Sequence, residues 1–379
     1  MKILHCLYDD KFTDGTIRTY NSDTRHTNKY IVIDDSNSIT SFKYIKSADV
    51  FCRTSSQFLQ LANDYDVVIL HSLLCLPLEC IDKIPSSCKV VWYAWGFDFY
   101  NNGIVKTKLY HYYTRRYFLV KNSFSFLKKN LLFYRRQKEN YLKKRALYRI
   151  DYFSGVFPYE YELLKEAHPY IHAKPLDFYY GDVDFFVKDE VDYNINNKRQ
   201  NIIIGNSGDP TNNHYDALLQ LKRLNVAEST NIIIPLNYGR YPNYIKWVSK
   251  QARALFPQNA YILDKFLPLG EYLQLVSNCK AAIFFHERQQ ASDNILMQLM
   301  YGAKVYMSET SLAFQYLKKI GFKVFSLQKD IDSLMEGLSD SDIIYNRELL
   351  VQLYSASSIM KRIRVINEII ESDINIKLK

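Results

Sequence analysis

Residues Ala281–Val305, AAIFFHERQQASDNILMQLMYGAKV, decide the fold. Ala281 to Phe285 is an unbroken apolar run of the length of a central parallel strand, and it stops at His286, Glu287, Arg288, Gln289 and Gln290. Polar side chains therefore gather at a strand's carboxyl end. Ile295, Leu296, Leu299 and Met300 give the next segment one apolar helix face, with Ser292 or Asp293 as the expected cap and Gly302 where a left-handed stop residue belongs. A second strand follows at Val305. In an open α/β sheet such a crevice is where ligands bind, because loop side chains and helix-start N–H groups converge there. The competing reading is an ordinary surface connection with incidental charges.

Working outward, 379 residues exceed what one core usually organises, so two domains are expected. Apolar content of 47% excludes a disordered chain. No apolar run reaches the roughly eighteen residues of a membrane span, and Met1 to Tyr8 leads into a strand without a cleavable signal pattern, which predicts a soluble cytoplasmic protein. Cys6, Cys52, Cys75, Cys80, Cys88 and Cys279 lack paired metal spacing and read as buried reduced thiols.

Lys2–Leu7, Tyr30–Ile33, Val67–His71 and Lys89–Tyr93 are strand-like runs separated by helical-length spacers, the pattern of parallel βαβ winding. The first run opens into a loop with Asp9, Asp10 and Asp14, the third ends at His71, and the fourth ends in WYAWGFDFY around Asp98. A carboxylate hemmed by aromatics can be raised toward the range of a general base, which makes Asp98 the first candidate, Asp10 the second and His71 the third. A helix-capping aspartate and a structural histidine are the plainer alternatives. Between Ile104 and Ile150 there are 14 Lys or Arg and one acidic residue, so this segment carries +13 and the rest of the chain −4 of the net +9. Its KK, RR and KKR clusters alternate with Tyr, Phe and Leu, predicting one or two basic, aromatic-laden helices.

The second half repeats the grammar. Asn201–Ile204 runs into GNSGDPTNNH, Asn231–Pro235 ends in Leu236, Asn237, Tyr238 and Gly239, Lys323–Phe325 is the last expected strand, and a long helical pattern over Tyr345–Ser372, broken near Ser355–Ser358, closes the chain. Gly205–His214 offers backbone N–H groups and hydroxyls to an anionic oxygen, although it has neither the Walker lysine nor a full dinucleotide fingerprint. The expected division is an N-terminal Rossmann-like domain over 1–185 with a basic helical insertion at 104–150, a linker at 186–200, and a C-terminal Rossmann-like domain over 201–379 that includes the closing helix.

GNSGDPTNNHYDAL, IIIPLNYG, ERQQASDNILMQLMYGAKV and WYAWGFDFY together resemble the bacterial 4-acetamido-4,6-dideoxygalactose (Fuc4NAc) transferase family, which uses a dTDP-sugar to complete a lipid-linked trisaccharide. The likeness is strongest between Ile202 and Met307. It implies an α/β GT-B fold, two facing Rossmann-like domains with parallel sheets, the donor held mainly by the second. It also implies catalysis with no metal and no cofactor, in keeping with the lack of a DxD motif at a strand end. On this reading Asn206, Ser207, Gly208, Asp209, Arg288, Gln289, Gln290 and Asn294 hold the donor diphosphate and sugar, with Tyr238 and Gly239 near the nucleoside. The acceptor would be a lipid-linked glycan, and segment 104–150 would meet an anionic membrane surface on the inner face of the plasma membrane. Two features depart from related patterns. The paired glutamates of many retaining GT-B enzymes are replaced by Gln289 and Met297, and the basic segment is longer than in the family.

Two other readings stay open on the residues alone. A catalytically silent GT-B scaffold would bind a glycan or partner without turnover. Basic clusters interleaved with aromatics also suit nucleic acid, but the charge is confined to one segment and no nucleic-acid fold signature accompanies it.

Overall fold

A computed structural model of the chain describes residues 1–100, 103–121, 129–186 and 199–377. The expected linker, 186–200, lies almost wholly outside the described residues, as does 122–128 of the basic segment. The chain forms two compact units. One comprises Met1–Lys106, Phe126–Asp182 and Ala356–Lys379, the other Thr107–Ser125 and Val183–Ser355.

The first unit is built on seven parallel strands: β1 (Lys2–Leu7), β2 (Thr27–Ile33), β3 (Val50–Arg53), β4 (Val67–Leu70), β5 (Lys89–Tyr93), β6 (Tyr152–Ser154) and β7 (Lys174–Pro175), in the order β3-β2-β1-β4-β5-β6-β7. The second holds six: β8 (Asn201–Ile204), β9 (Ile232–Pro235), β10 (Ala260–Leu263), β11 (Cys279–Phe284), β12 (Lys304–Met307) and β13 (Val324–Ser326), in the order β10-β9-β8-β11-β12-β13. All pairings are parallel, so both sheets are doubly wound, with strand order reversing between β1 and β4 and between β8 and β11. These reversals open crevices at the strands' carboxyl ends.

The central strands are apolar throughout because helices cover both sheet faces: Val67 to Leu70, and Ala281 to Ile283, are fully buried. β3 was not anticipated. It is a short edge strand, and Phe51 at its centre is exposed, so alternation has too few residues to register.

Two boundaries differ from expectation. The helix Ala356–Lys377 was expected to close the C-terminal domain, but it packs into the first unit. Ile363, Ile366 and Ile370 form a helical stripe in the core with Ile17 and Tyr20, Asn367 donates to Asp23 at 3.1 Å, and Tyr152 donates to Asp373. The break at Ser355, by contrast, falls where the helical pattern lapses. The basic segment also divides. The helix Lys129–Arg149 belongs to the first unit, while 107–121 belongs to the second.

A single carboxylate explains why the latter helix, Tyr112–Lys121, sits there. Asp216 accepts the backbone N–H groups of Tyr113 and Thr114, both at 2.9 Å, and the Thr114 hydroxyl at 2.7 Å, satisfying first-turn donors that have no intrahelical partner. Tyr117 then stacks on Trp247 at 4.5 Å.

Candidate active site

The loops leaving β8 and β11 meet at the strand-order reversal of the second sheet. Gly205 starts the first loop in the left-handed region (φ 71°), where a Cβ would stand 2.9 Å from His214 Nε2 and 3.0 Å from Asn212 Oδ1. Asn212 Nδ2 donates to the carbonyls of Ser207 and Asp209 at 3.0 and 3.1 Å, and Asp209 Oδ1 accepts from Thr211 N at 2.9 Å. These contacts hold Asn206 and Asp209 at the rim of a tight turn. Ser207 is buried inside the turn, 3.2 Å from Asn212 Nδ2.

Gln290 joins this turn to the β11 loop. Its Nε2 donates to Asn206 Oδ1 at 3.0 Å, and the other end of its amide rests on the Thr211 hydroxyl. The Arg288 guanidinium is buried beside it and donates to the Gln289 carbonyl at 2.9 Å. Gln289 turns away to donate to Ser292 Oγ at 2.9 Å, so Ser292 does not cap the helix Ser292–Tyr301 as expected, and neither does Asp293. The N-cap is Ala291 in the left-handed region (φ 58°), with no side-chain cap. The helix start thus presents backbone N–H groups next to Arg288, an arrangement suited to anions. Gly302 ends the helix at φ 80° as expected.

Gly208 and Gly239 mark where the loops after β8 and β9 cross. A Cβ on Gly239 would lie 3.0 to 3.2 Å from Gly208 backbone atoms, and one on Gly208 would lie 2.6 Å from the Ile245 side chain. Tyr238 beside them is 68% exposed, available to a planar ligand. Asn294 is set apart from this group, accepting from the Tyr272 hydroxyl at 3.2 Å.

Sequence reasoning missed a contribution from 107–111. His111 donates its backbone N–H to Asn213 Oδ1 at 2.9 Å, stacks on Phe285 at 4.0 Å, and places Nε2 2.7 Å from Glu287 Oε1. Burial would raise the Glu287 pKa, but contacts from His111, Ser308 and Thr310 outweigh it and bring it down to about 2. His286, by contrast, is fully buried, shares a hydrogen bond with the Arg288 carbonyl at 3.1 Å, and is pushed down to about 4 by burial and the Arg288 charge. It is a neutral structural residue.

In the first unit the expected base does not fit that role. Asp98 is fully buried, and its carboxylate accepts from Ser72 Oγ (2.7 Å), Leu73 N (2.6 Å), Trp92 Nε1 (3.0 Å) and Trp95 N (2.7 Å). Burial pushes its pKa up to about 6, with these four donors pulling the other way. It leaves no face for an external hydroxyl and instead ties together the ends of β4 and β5. His71 is also closed, with His5 and Tyr180 each 3.0 Å from a ring nitrogen and burial driving its pKa well down. Asp9 is occupied by the N–H groups of Lys43, Tyr44 and Ile45, and Asp14 by those of Lys46 and Ser47. Asp10, in the loop after β1, is half-buried, accepts from Phe12 N at 3.1 Å and has its pKa raised by burial.

Replacing Asp98 by Asn turns an NH2 group toward donors that need an acceptor. Each buried donor left unsatisfied costs about 1 to 3 kcal/mol, so Asp98→Asn should lower the melting temperature markedly. Calorimetric unfolding of the variant checks this, and an unchanged midpoint would refute the organising role.

Residues 165–336, which span β7 to β13 and both loops at the second strand-order reversal, match the family described as 4-alpha-L-fucosyltransferase, glycosyl transferase group 56. Among solved structures, Anabaena HepE in complex with UDP and glucose superposes with a TM-score of 0.64 at 12% identity, over 97% of this chain and 99% of that one. A glycosyltransferase from Rickettsia africae gives 0.65 at 13% identity, over 97% and 98% of the two chains. An alpha-glucosyltransferase in complex with UDP gives 0.53 at 16% identity, over 98% and 99%. At such identities the structural likeness is one of fold. The chain is a glycosyltransferase with a GT-B fold, and the group 56 pattern runs through the part that carries Asn206 and Arg288.

Proposed function

We propose that this glycosyltransferase moves a sugar, Fuc4NAc or a related deoxy-amino sugar, from a dTDP- or UDP-sugar to a polyprenyl-diphosphate-linked glycan in bacterial surface polysaccharide synthesis. The observation that carries the donor half of this reading is the convergence of Asn206, Gln290, Arg288 and an uncapped helix start at one strand-order reversal. As the glycosidic bond of the donor breaks, negative charge builds on the leaving diphosphate. Arg288 and the helix N–H groups offset that charge at positions fixed beforehand, the main electrostatic requirement of the transfer. Asn206, Gln290 and Asp209 orient the diphosphate and sugar, and Tyr238 and Gly239 face the nucleoside. Asp10, carrying a carboxylate of raised pKa on a strand-end loop, takes the proton of the acceptor hydroxyl. Asp98 instead holds the ends of β4 and β5 together.

The acceptor half of the reading draws on other residues, in each unit taken by itself. A polyprenyl-linked glycan stays at the headgroup boundary, so the enzyme must reach it. No helix among the described residues is long and apolar enough to cross a membrane. The helix Tyr112–Lys121 exposes Tyr112, Leu119 and Val120 beside Arg115 and Arg116, and the helix Lys129–Arg149 exposes Tyr141 and Tyr148 beside Lys138 and Lys144. Lys128, the first basic residue of the KK pair, lies outside the described residues. Each basic side chain near an anionic leaflet contributes on the order of 1 kcal/mol, enough in sum for reversible attachment.

Arg288→Ala and Asn206→Ala should each weaken nucleotide binding about ten- to a hundredfold in calorimetric titration while the fold persists; unchanged affinity in both would move the donor site elsewhere. Asp10→Asn should cut turnover by about 10² to 10⁴ at nearly unchanged donor affinity. It should also remove the acidic limb of the pH–rate profile, because only the ionised carboxylate accepts the proton. Full activity in Asp10→Asn would place the base elsewhere. In co-sedimentation, vesicles containing anionic lipid should bind the protein at low salt and neutral vesicles should not. Binding that survives Arg115→Gln, Arg116→Gln, Lys138→Gln and Lys144→Gln together would contradict the membrane reading.

A further inference from the structure

We infer that Tyr110, a residue from the first half of the sequence, is a donor-contacting residue whose hydroxyl donates a hydrogen bond to the diphosphate of the nucleotide-sugar. The inference rests on the donor-site reading above and adds to it a residue outside the matched stretch 165–336.

The residues on either side of Tyr110 are pinned to the ends of β8 and β11. Asn213, held at φ 52° in the left-handed region, receives the His111 N–H at 2.9 Å and donates to the Leu109 carbonyl at 3.3 Å, so one side chain grips the backbone before and after Tyr110. The same Asn213 amide donates to the Phe285 carbonyl at 2.9 Å, which fixes the grip to the first residue beyond β11. His111 adds its stack on Phe285 and its contact with Glu287, and Asp216 caps the helix that follows. A non-glycine residue in the left-handed region is uncommon, although asparagine accepts it best, and here it serves one short stretch of backbone.

The Tyr110 side chain lies outside this set of anchors. Its ring is half-buried with its centroid 5.1 Å from that of Phe118, and its hydroxyl lies within the electrostatic influence of Asp209 and Arg288. Burial first, then the Tyr241 and Asp209 charges, raise its pKa against the pull of Arg288, so it stays protonated. A phenol that keeps its proton within electrostatic reach of the Arg288 guanidinium, on backbone anchored to the residue after β11, is a hydrogen-bond donor at the border of the region where an anionic oxygen is expected. Packing alone would be served equally well by phenylalanine. The hydroxyl separates the two roles.

The test is calorimetric titration of UDP and of dTDP into the full chain, as wild type, Tyr110→Phe, Tyr110→Ala and Arg288→Ala, each with its melting temperature measured. Tyr110→Phe should keep the wild-type melting temperature and weaken whichever nucleotide binds by about tenfold, the loss of one hydrogen bond to a charged group. Wild-type affinity in Tyr110→Phe with a clear loss in Arg288→Ala would overturn the inference and leave the donor site standing. A loss confined to Tyr110→Ala would likewise overturn it, because the ring alone would then matter. Wild type that binds neither nucleotide, or an unchanged Arg288→Ala, would remove the donor-site reading and this inference with it.

Discussion

One amide, that of Gln290, holds the second sheet's crevice in shape. It spans the gap between the loop leaving β8 and the loop leaving β11, touching Asn206 on one side and Thr211 on the other. The backbone positions around it follow from that closeness. Gly205, Asn213 and Ala291 all lie in the left-handed region, because two loops brought within a side chain's length of each other must turn sharply at both ends. Arg288 and the start of the helix Ser292–Tyr301 are carried on the same loop as Gln290, so their position depends on the same bridge.

The charges of this crevice are fixed by their surroundings. Glu287 stays ionised because His111, Ser308 and Thr310 converge on it, and His286 stays neutral because it is enclosed beside Arg288. Near neutral pH the guanidinium therefore faces a constant electrostatic setting. The same logic separates Asp98 from Asp10 in the first unit. Both carboxylates feel burial, but Asp98 is surrounded by four donors while Asp10 remains half-buried on its loop. Burial without an approach route makes a strut, and burial with one makes a candidate base.

Much of the fold was legible in the sequence. Asn201–Ile204 and Lys89–Tyr93 were readable residue for residue, since fully buried parallel strands are short apolar runs with abrupt polar ends. The loops after β8 and β11 were legible for the same reason. Two assignments were not. Ala356–Lys377 carries an isoleucine stripe that says it needs a core, but periodicity does not say which core, and it packs with Ile17 and Tyr20 of the first unit. Segment 107–121 was hidden by its charge. Its Arg residues suggested a surface insertion, whereas the informative residues were Thr114, Tyr117 and His111, whose partners Asp216, Trp247 and Glu287 lie about a hundred or more positions away in the chain. Asp98 was noticed for the right physical reason, burial among aromatics, but a single sequence does not reveal how many donors a carboxylate must satisfy.

The central claim is that a nucleotide diphosphate sits at the ends of β8 and β11. Hydrogen–deuterium exchange with and without saturating UDP or dTDP tests it most directly, because a bound diphosphate should slow exchange of the loop and helix-start N–H groups that receive it. The account predicts protection within 205–213 and 286–293, extending to 109–111, and little change in the loop after β1. Protection confined to the first unit, or none at saturation, would contradict it.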